Sequence, residues 1–299
     1  MAASRLDPPE HVGVYARLLP LLARPSSRGL AAALNWVIVR GSRQRLTVVF
    51  NVRGFDAAVV RGGKQLGDAL REAEPGVNAA FLYLDPSGSE YYLEARRPIG
   101  VLSFKRLFGP ERLAVEVDGV RLRFPPTVFS QVNESLVPAM VSHARTLLAP
   151  LAGHALLDLY CGYGLFSLTV GREAVRILGV DYDGPAIDAA RENATEAGTR
   201  ARFLAGRLTG DFVRDLPPAK DPELALLDPP RQGTAEGVIE AVAAREPARV
   251  VHVCCGTDEI PRDVSRWAAA GYRLTRAVPV DLFAGTANLE TLLLFVRAR

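Results

Sequence analysis

Three cysteines occur in the 299 residues, and two of them stand side by side. Cys254 and Cys255 end the apolar run VHVCC, where it meets a glycine and then a polar stretch closing Pro-Arg-Asp. A thiol can ligate a metal, form half of a disulfide, fill a core or act as a nucleophile. Cys161 is the only other cysteine, so the set is too small and too oddly spaced for a disulfide framework, and this usage favours a reducing compartment. The grouped cysteines of a zinc finger or an iron–sulfur cluster are missing as well, so no metal is expected. Counting leaves filler and nucleophile open.

Two further stretches carry polar chemistry at the ends of apolar runs. DLYCGYGLFSL (158–168) turns from a strand into a helix, and Gly162 and Gly164 let the backbone approach a ligand closely. A bare tight turn explains the two glycines equally well. The third glycine of a dinucleotide fingerprint is absent, since Phe166 and Ser167 follow. Asp181 ends the next apolar run, 19 residues after Gly162, where a carboxylate could take the hydroxyls of a ribose or cap the following helix. A glycine loop with no phosphate-binding features, followed by an acid there, suits S-adenosylmethionine. In LLDPPRQG (226–233), Asp228 precedes two prolines that stiffen the loop, at the sheet edge where ligands of open α/β sheets gather.

Those residues need a parallel sheet to bring them together, and the second half of the chain predicts one. HALLDLY (154–160), RILGVDY (176–182), ARFLAG (201–206), PELALLDPP (222–230) and ARVVHVCC (248–255) alternate with helical spacers, which is the pattern of βαβ units. YRLTRAVPVDLF and ETLLLFVRA then read as two strands with no helix between them, closing the sheet with an antiparallel element. The first 125 residues show shorter alternating runs: LTVVFNV, AAFLYLD, SEYYLEA and RLAVEVDGVRLRF. DPSG and VDGV serve as hairpin turns there, and SRGLAAALNWVIV and KQLGDALREA as helices. The expectation is a small α+β domain over residues 1–125, a junction at Pro125-Pro126, a helix within 130–150, and a doubly wound α/β domain over 126–299.

Charge follows the same division. Residues 1–125 hold 18 Lys and Arg against 12 Asp and Glu; the rest hold 18 against 21. A basic domain joined to a mildly acidic one fits an enzyme that holds a polyanion, and equally an arginine-rich surface with no such role. No stretch reads as a signal peptide or as about 18 uncharged apolar residues in a row, so a cytoplasmic protein with no membrane partner is expected. His154 and His252 read as core or surface residues rather than ligands. Lys105, Arg106, Arg121 and Arg123 could meet a phosphate backbone or form a solvated face.

Taken together, VFSQVN (128–133), DLYCGYG, DPPRQG, CCGTDEIPRD (254–263) and DLFAGTANLETLLLF (281–295) resemble the RNA 5-methyluridine methyltransferases, which modify uridine in tRNA and in 23S ribosomal RNA. Order and spacing agree across all five blocks, and the resemblance covers roughly residues 75–299. No amino-terminal oligonucleotide-binding barrel and no iron–sulfur cysteine motif of the kind some members carry is read here. The resemblance implies a class I S-adenosylmethionine-dependent, Rossmann-like methyltransferase domain, an RNA partner (tRNA or rRNA) and a monomer. It implies that Gln131, Tyr160, Gly162, Gly164, Asp181 and Asp228 contact the cofactor. Alignment on Arg262-Asp263 makes Cys255 the nucleophile, with Cys254 as its buried neighbour, and Glu290 falls on the general base.

The chemistry implied requires those residue types. Carbon 5 of uracil is a poor nucleophile until a thiolate adds at carbon 6, and a base must then remove the carbon-5 proton so that the cysteine can leave. Asp228 would stand close to the methyl-transfer centre, and a stacked base would have to swing out to reach Cys255. Four positions depart from the family pattern. Gly256-Thr257 replace Asn-Pro, Ala284 replaces proline, and Asn288 replaces a histidine two residues before Glu290. Leu165 also stands where a polar cofactor neighbour can occur. Methylation of another RNA base, or RNA binding with little turnover, are the alternatives.

Overall fold

The computed structural model describes residues 7–42, 45–86, 104–182 and 184–298, and these fall into two compact units, Met1–Leu113 and Ala114–Arg299.

The first unit has helices α1 (Pro9–Leu22), α2 (Arg28–Ala33) and α3 (Ala57–Ala73) and strands β1 (Leu34–Arg40), β2 (Leu46–Val52), β3 (Val77–Leu84) and β4 (Phe104–Phe108). The strands form one mixed sheet in that order, with β2 and β3 parallel and the outer pairs antiparallel. Asp56 starts α3 by accepting from the Val59 amide at 2.7 Å. That helix buries Val59, Leu66 and Leu70, and its Gly63 sits close against Leu82. SRGLAAALNWVIV is not all helix: the helix stops at Ala33, and Leu34 turns extended to begin β1. The run Trp-Val-Ile-Val, rich in residues that pack well on a pleated surface, overrides the alanines before it. SEYYLEA and the second half of the DPSG turn lie outside the described residues.

The division between units falls at Leu113/Ala114, ahead of the proline pair. The reason is the hairpin β5 (Leu113–Val117) and β6 (Val120–Phe124), which turns through Asp118 and Gly119, both with positive φ. Asn193 of α6 (Gly184–Glu196) holds it from both sides, accepting from the Arg123 amide at 2.8 Å and donating to the Arg123 carbonyl at 3.0 Å. Phe124 stacks on Tyr163.

The second unit is built on a seven-stranded sheet: β7 (Ala155–Leu159), β8 (Arg176–Asp181), β9 (Arg202–Ala205), β10 (Glu223–Leu227), β11 (Arg249–Cys254), β12 (Tyr272–Val280) and β13 (Glu290–Arg297). Their order is β12-β13-β11-β10-β7-β8-β9. The strands from β7 to β11 pair in parallel, while β13 runs antiparallel to both β11 and β12. Helices α4 (Val137–Leu148), α5 (Leu165–Thr169), α7 (Gly210–Arg214), α8 (Val238–Ala244) and α9 (Ile260–Ala269) complete the unit. The expected helix of 130–150 is the shorter α4, preceded by a single 3₁₀ turn over Glu134–Leu136. Every residue of β7 and β10 is buried, as strands covered on both faces must be. Leu157, Leu159, Leu227, Val250, Trp267 and Phe295 belong to one continuous core. Each leucine there stabilises the fold by about 1.5–3 kcal/mol relative to an exposed one.

This topology gathers the chemistry at one edge. The strand order switches at β7, since β8 and β9 are added on one side of it and β10 and β11 on the other, which opens a crevice at the carboxyl ends of the parallel strands between β7 and β10. Because β13 runs the other way, its first residue meets the last residues of β11: Cys254 pairs with Thr291. Glu290 therefore starts at the place where Cys255 ends.

Candidate functional site

The floor of the site is the glycine loop after β7. Tyr160, Gly162 and Gly164 all have positive φ, at 64°, 53° and 87°. The Gly162 amide donates to Asp181 Oδ2 at 2.8 Å and the Cys161 amide to the Val180 carbonyl at 3.1 Å, so the loop is tied to the end of β8. Asp181 thus holds the loop in shape, and it is not simply a helix cap. Tyr160 is half-buried, and the backbone of Ala235 hydrogen-bonds its hydroxyl. Burial first, and nearby acids after it, push that hydroxyl up to about 12. Its side chain therefore reaches the segment just after DPPRQG.

Asp228 follows β10 directly, with its amide bonded to the Leu159 carbonyl at 3.2 Å. Gln131, itself only 6% exposed, reaches its carboxylate through Nε2 at 3.5 Å, leaving Gln131 Oε1 buried with no partner. Desolvation raises the Asp228 carboxyl well above its usual range, and Glu290, Asp158 and Asp181 add repulsion. Glu290 is 3% exposed, and its Oε2 has no partner. Desolvation raises it too, against the opposing pull of Arg231. The Arg231 guanidinium lies over the Phe283 ring, 5.5 Å from its centre.

The two cysteines differ as their positions in the strand require. Cys254 is the last, buried residue of β11, and burial drives its thiol far above the usual value. Cys255 is one residue further, half-buried, with its thiol pushed up to about 12. Burial is the main cause; Glu290, Glu259 and Asp228 raise it further, and Arg231 lowers it. Gly256 faces only the exposed Asp258 carboxylate, a flexible end that can move aside, and nothing in the structure explains the glycine there. Ala284 is exposed, and Asn288 donates its amide to Thr286 Oγ1 at 3.1 Å within the loop before β13. Leu165 is buried at the start of α5.

Two acids belong to the site that the sequence reading did not single out. Asp158, fully buried within β7, accepts from Ser167 Oγ at 2.5 Å through Oδ2 and leaves Oδ1 without a partner. Desolvation lifts it to about 7, with the Ser167 bonds opposing. Its signal was available: an acid inside ALLDL contradicts an all-buried strand unless it has a partner or a task. Glu259, 6% exposed, raises both Cys255 and Glu290 electrostatically. Nothing in the spacing marks it.

The four cations proposed for a phosphate backbone do not behave alike. Arg106 pairs with Glu111 at 3.3 Å and Arg123 with Glu196 at 2.9 Å, whereas Lys105 and Arg121 are exposed with no ion partner among the described residues. His154 is surface-lying, bonded to the Ala152 carbonyl, and His252 is core. Among the described residues no helix is long and apolar enough to cross a membrane.

Comparison with known proteins places this geometry. Residues 93–211 match the family model described as tRNA (Uracil-5-)-methyltransferase. The 23S rRNA (uracil(1939)-C(5))-methyltransferase RlmD of Edwardsiella ictaluri is 36% identical over 252 residues, 81% of this chain and 57% of the relative. The protein of the same name from Alkalilimnicola ehrlichii is 41% identical over 182 residues, 60% of this chain and 40% of the relative. The chain spans about half the length of the curated relatives it matches. Among solved structures, the Pyrococcus abyssi tRNA (uracil-54, C5)-methyltransferase in complex with S-adenosyl-L-homocysteine aligns with a TM-score of 0.66. Its identity is 20%, over 88% of this chain and 60% of that one, a likeness of fold. The second unit therefore has the Rossmann-like fold of S-adenosylmethionine-dependent methyltransferases.

Proposed function

We propose that this chain is an RNA uracil-C5 methyltransferase that methylates carbon 5 of a uridine in RNA, with Cys255 as nucleophile and Glu290 as base, a reading supported by the family match and the relatives. The observation that carries the reading is the antiparallel return of β13. It sets a buried carboxylate, with its Oε2 unpartnered, beside the half-buried thiol at the ligand-binding edge of the sheet.

The residues present fit S-adenosylmethionine. Asp158, Asp228 and Glu290 all have raised carboxyl groups, and Asp158 Oδ1 and Gln131 Oε1 are acceptors without donors, which suits a ligand bearing an ammonium and a sulfonium. Gly162 and Gly164 would give its backbone approach, with Asp181 and Tyr160 beside them and Gln131 and Asp228 on the far side. When bound, it supplies an electrophilic methyl group.

The chain's own residues perform the rest. The Cys255 thiolate adds to carbon 6 of uracil, which makes carbon 5 nucleophilic. Glu290 removes the proton from carbon 5 once that carbon carries the methyl group, and the electron pair of that C–H bond expels the Cys255 sulfur from carbon 6. Asp228 orients through Gln131 and lends negative charge to a cationic centre. Of the four cations singled out, Lys105 and Arg121 are left free to meet phosphates, and the basic first unit serves to hold RNA.

The relatives' names make 23S rRNA the first substrate to try and tRNA the second. Labelled methyl transfer to each, with nucleoside mass analysis, should give 5-methyluridine with the wild type and none with Cys255→Ala. RNA carrying 5-fluorouridine should yield a covalent adduct at Cys255. Turnover on uridine that survives Cys255→Ala would refute the mechanism.

A further inference from the structure

Beneath the two cysteines lies a group of buried polar atoms that the proposed chemistry does not use. A ring nitrogen of His252, Cys254 Sγ and a carboxylate oxygen of Asp263 lie within 4.8 Å of one another, all three residues buried. His252 Nε2 and Asp263 Oδ2 have no hydrogen-bond partner and face each other across 3.8 Å. A histidine, a thiol and a carboxylate at this spacing invite comparison with a zinc site, and the other face of the imidazole decides against it. Trp267 Nε1, which can only donate, lies 3.0 Å from His252 Nδ1. Nδ1 must therefore carry the lone pair. Burial keeps the ring neutral, so its single hydrogen sits on Nε2, where a metal would need the second lone pair.

The tautomer instead aims an N–H dipole at the Asp263 carboxylate in a dry interior. Trp267 is itself fixed, stacked on Phe295 with centroids 5.4 Å apart and edge-on to Tyr272, whose hydroxyl donates to the Pro247 carbonyl at 2.8 Å. Asp263 and Trp267 are the two buried residues of α9, four positions apart on one face. The other carboxylate oxygen of Asp263 accepts from Arg262 Nε at 3.1 Å. The Arg262 guanidinium in turn lies where a side chain at Gly233 would be, against the end of the DPPRQG loop. Gly233 has φ +74°, so that close approach has a backbone built for it.

We propose that Trp267, His252, Asp263 and Arg262 form a positioning chain that holds the Cys254–Cys255 strand end and the Asp228–Gly233 loop in register for the reaction. His252 is three residues before the nucleophile on the same strand, and Arg262 touches the loop that carries Asp228 and Arg231. Asp263 connects the two, and its unpaired oxygen has only the His252 N–H to face. This assignment rests on the uracil-methylation reading for its rate measurements and on the fold alone for its spectroscopic ones, so the two can fail separately.

The spectroscopic measurement is a long-range ¹H–¹⁵N spectrum of the wild-type chain, with the His252 signal assigned by its loss in His252→Phe. A neutral ring with hydrogen on Nε2 is expected at pH 7; a ring with hydrogen on Nδ1, or a charged one, overturns the proposal whatever the enzyme's substrate. The kinetic measurement follows methyl transfer to RNA under saturating conditions. His252→Phe should lower kcat roughly 10- to 100-fold, with KM for RNA and for S-adenosylmethionine within about twofold of wild type, because small misplacements of reacting groups cost that much. His252→Gln, which returns a donor near the Nε2 position, should recover most of the loss. Arg262→Ala removes a half-exposed side chain and leaves the core intact; it should show the same kcat loss, and the double variant with His252→Phe should fall little further. Should His252→Phe fail to fold, Arg262→Ala carries the kinetic test. Unchanged kcat in Arg262→Ala, or a loss that only tracks the unfolded fraction, overturns the proposal.

Discussion

Asp158→Asn should make the second unit more stable, by an amount that grows from about pH 4 to 7 and is constant above that. Asp158 is fully buried, with one oxygen bonded to Ser167 and the other bare, and its carboxyl rises from 3.8 to about 7. An acid that holds its proton more tightly when folded contributes nothing adverse below the unfolded pKa. Stability falls as pH climbs from about 4 to 7 and is level above that. At 1.36 kcal/mol per pKa unit the penalty for ionising Asp158 in the fold is at most about 4 kcal/mol, and relaxation of the site brings it to about 2–4 kcal/mol. Asparagine cannot ionise, keeps an acceptor for Ser167 and offers donors toward Asp181 and Asp228. Urea unfolding in a Trp36→Phe background lets Trp267 report on this unit alone. The variant and its parent should differ least near pH 3, below the unfolded pKa, and diverge by about a further 2–4 kcal/mol at pH 8, or by roughly 5–10 °C in Tm. His252, whose ring is held down to about 4 by burial, lowers the stability of both proteins in acid and cancels in the difference. A gap that does not change with pH, or an asparagine variant less stable at pH 8, would refute the electrostatic account of the site.

Four further outcomes are expected. Cys255→Ala should lose more than roughly 10³-fold in methyl transfer, while Cys254→Ala keeps activity within a few-fold and costs about 1–2 kcal/mol of stability; steady-state rates and urea midpoints check both. Glu290→Gln should still transfer a methyl group but accumulate a covalent complex with unmodified uridine RNA, seen as a slow-moving band on a denaturing gel. Its absence would remove Glu290 as the base. kcat/KM should rise with pH between about 6 and 9, since the working forms of Cys255 and Glu290 are both deprotonated and both pKa values are raised in the free chain. Binding of S-adenosylmethionine at pH 7 should release protons, because a cation beside raised carboxyl groups favours their ionised forms. Calorimetry in two buffers of different ionisation enthalpy reads that release directly.

The parallel sheet was legible because its strands are short apolar runs between helical spacers, and the edge where the site lies follows from that topology. The antiparallel close by β12 and β13 was legible for the same reason: no helical stretch separates them. What the spacing hid was anything decided by packing. SRGLAAALNWVIV divides at Leu34 because the second half pairs with β2, which no local propensity announces. The hairpin over Leu113–Phe124 looks from composition like part of the first unit, yet two hydrogen bonds from Asn193, some 70 residues on, draw it to the second. Cys255, Asp228 and Glu290 were singled out by motif, and the topology brings Glu290 to the end of the strand that leads into Cys255. Asp158 was visible as an acid in an apolar strand and passed over, while Glu259 became a site residue only when α9 folded back beside the cysteine.

The charge around Cys255 sets what the free protein can do. Glu290, Glu259 and Asp228 all raise its thiol, and among the described groups that act on it Arg231 is the one that lowers it. A thiol near 12 is almost wholly protonated at neutral pH, so the isolated chain holds a poor nucleophile. The same acids make a cationic ligand favourable, and a cation among them lowers the thiol by cancelling their field. On the proposed reading, nucleophile and cofactor site are coupled through charge: a cationic methyl donor would also weaken the field that keeps the Cys255 sulfur protonated.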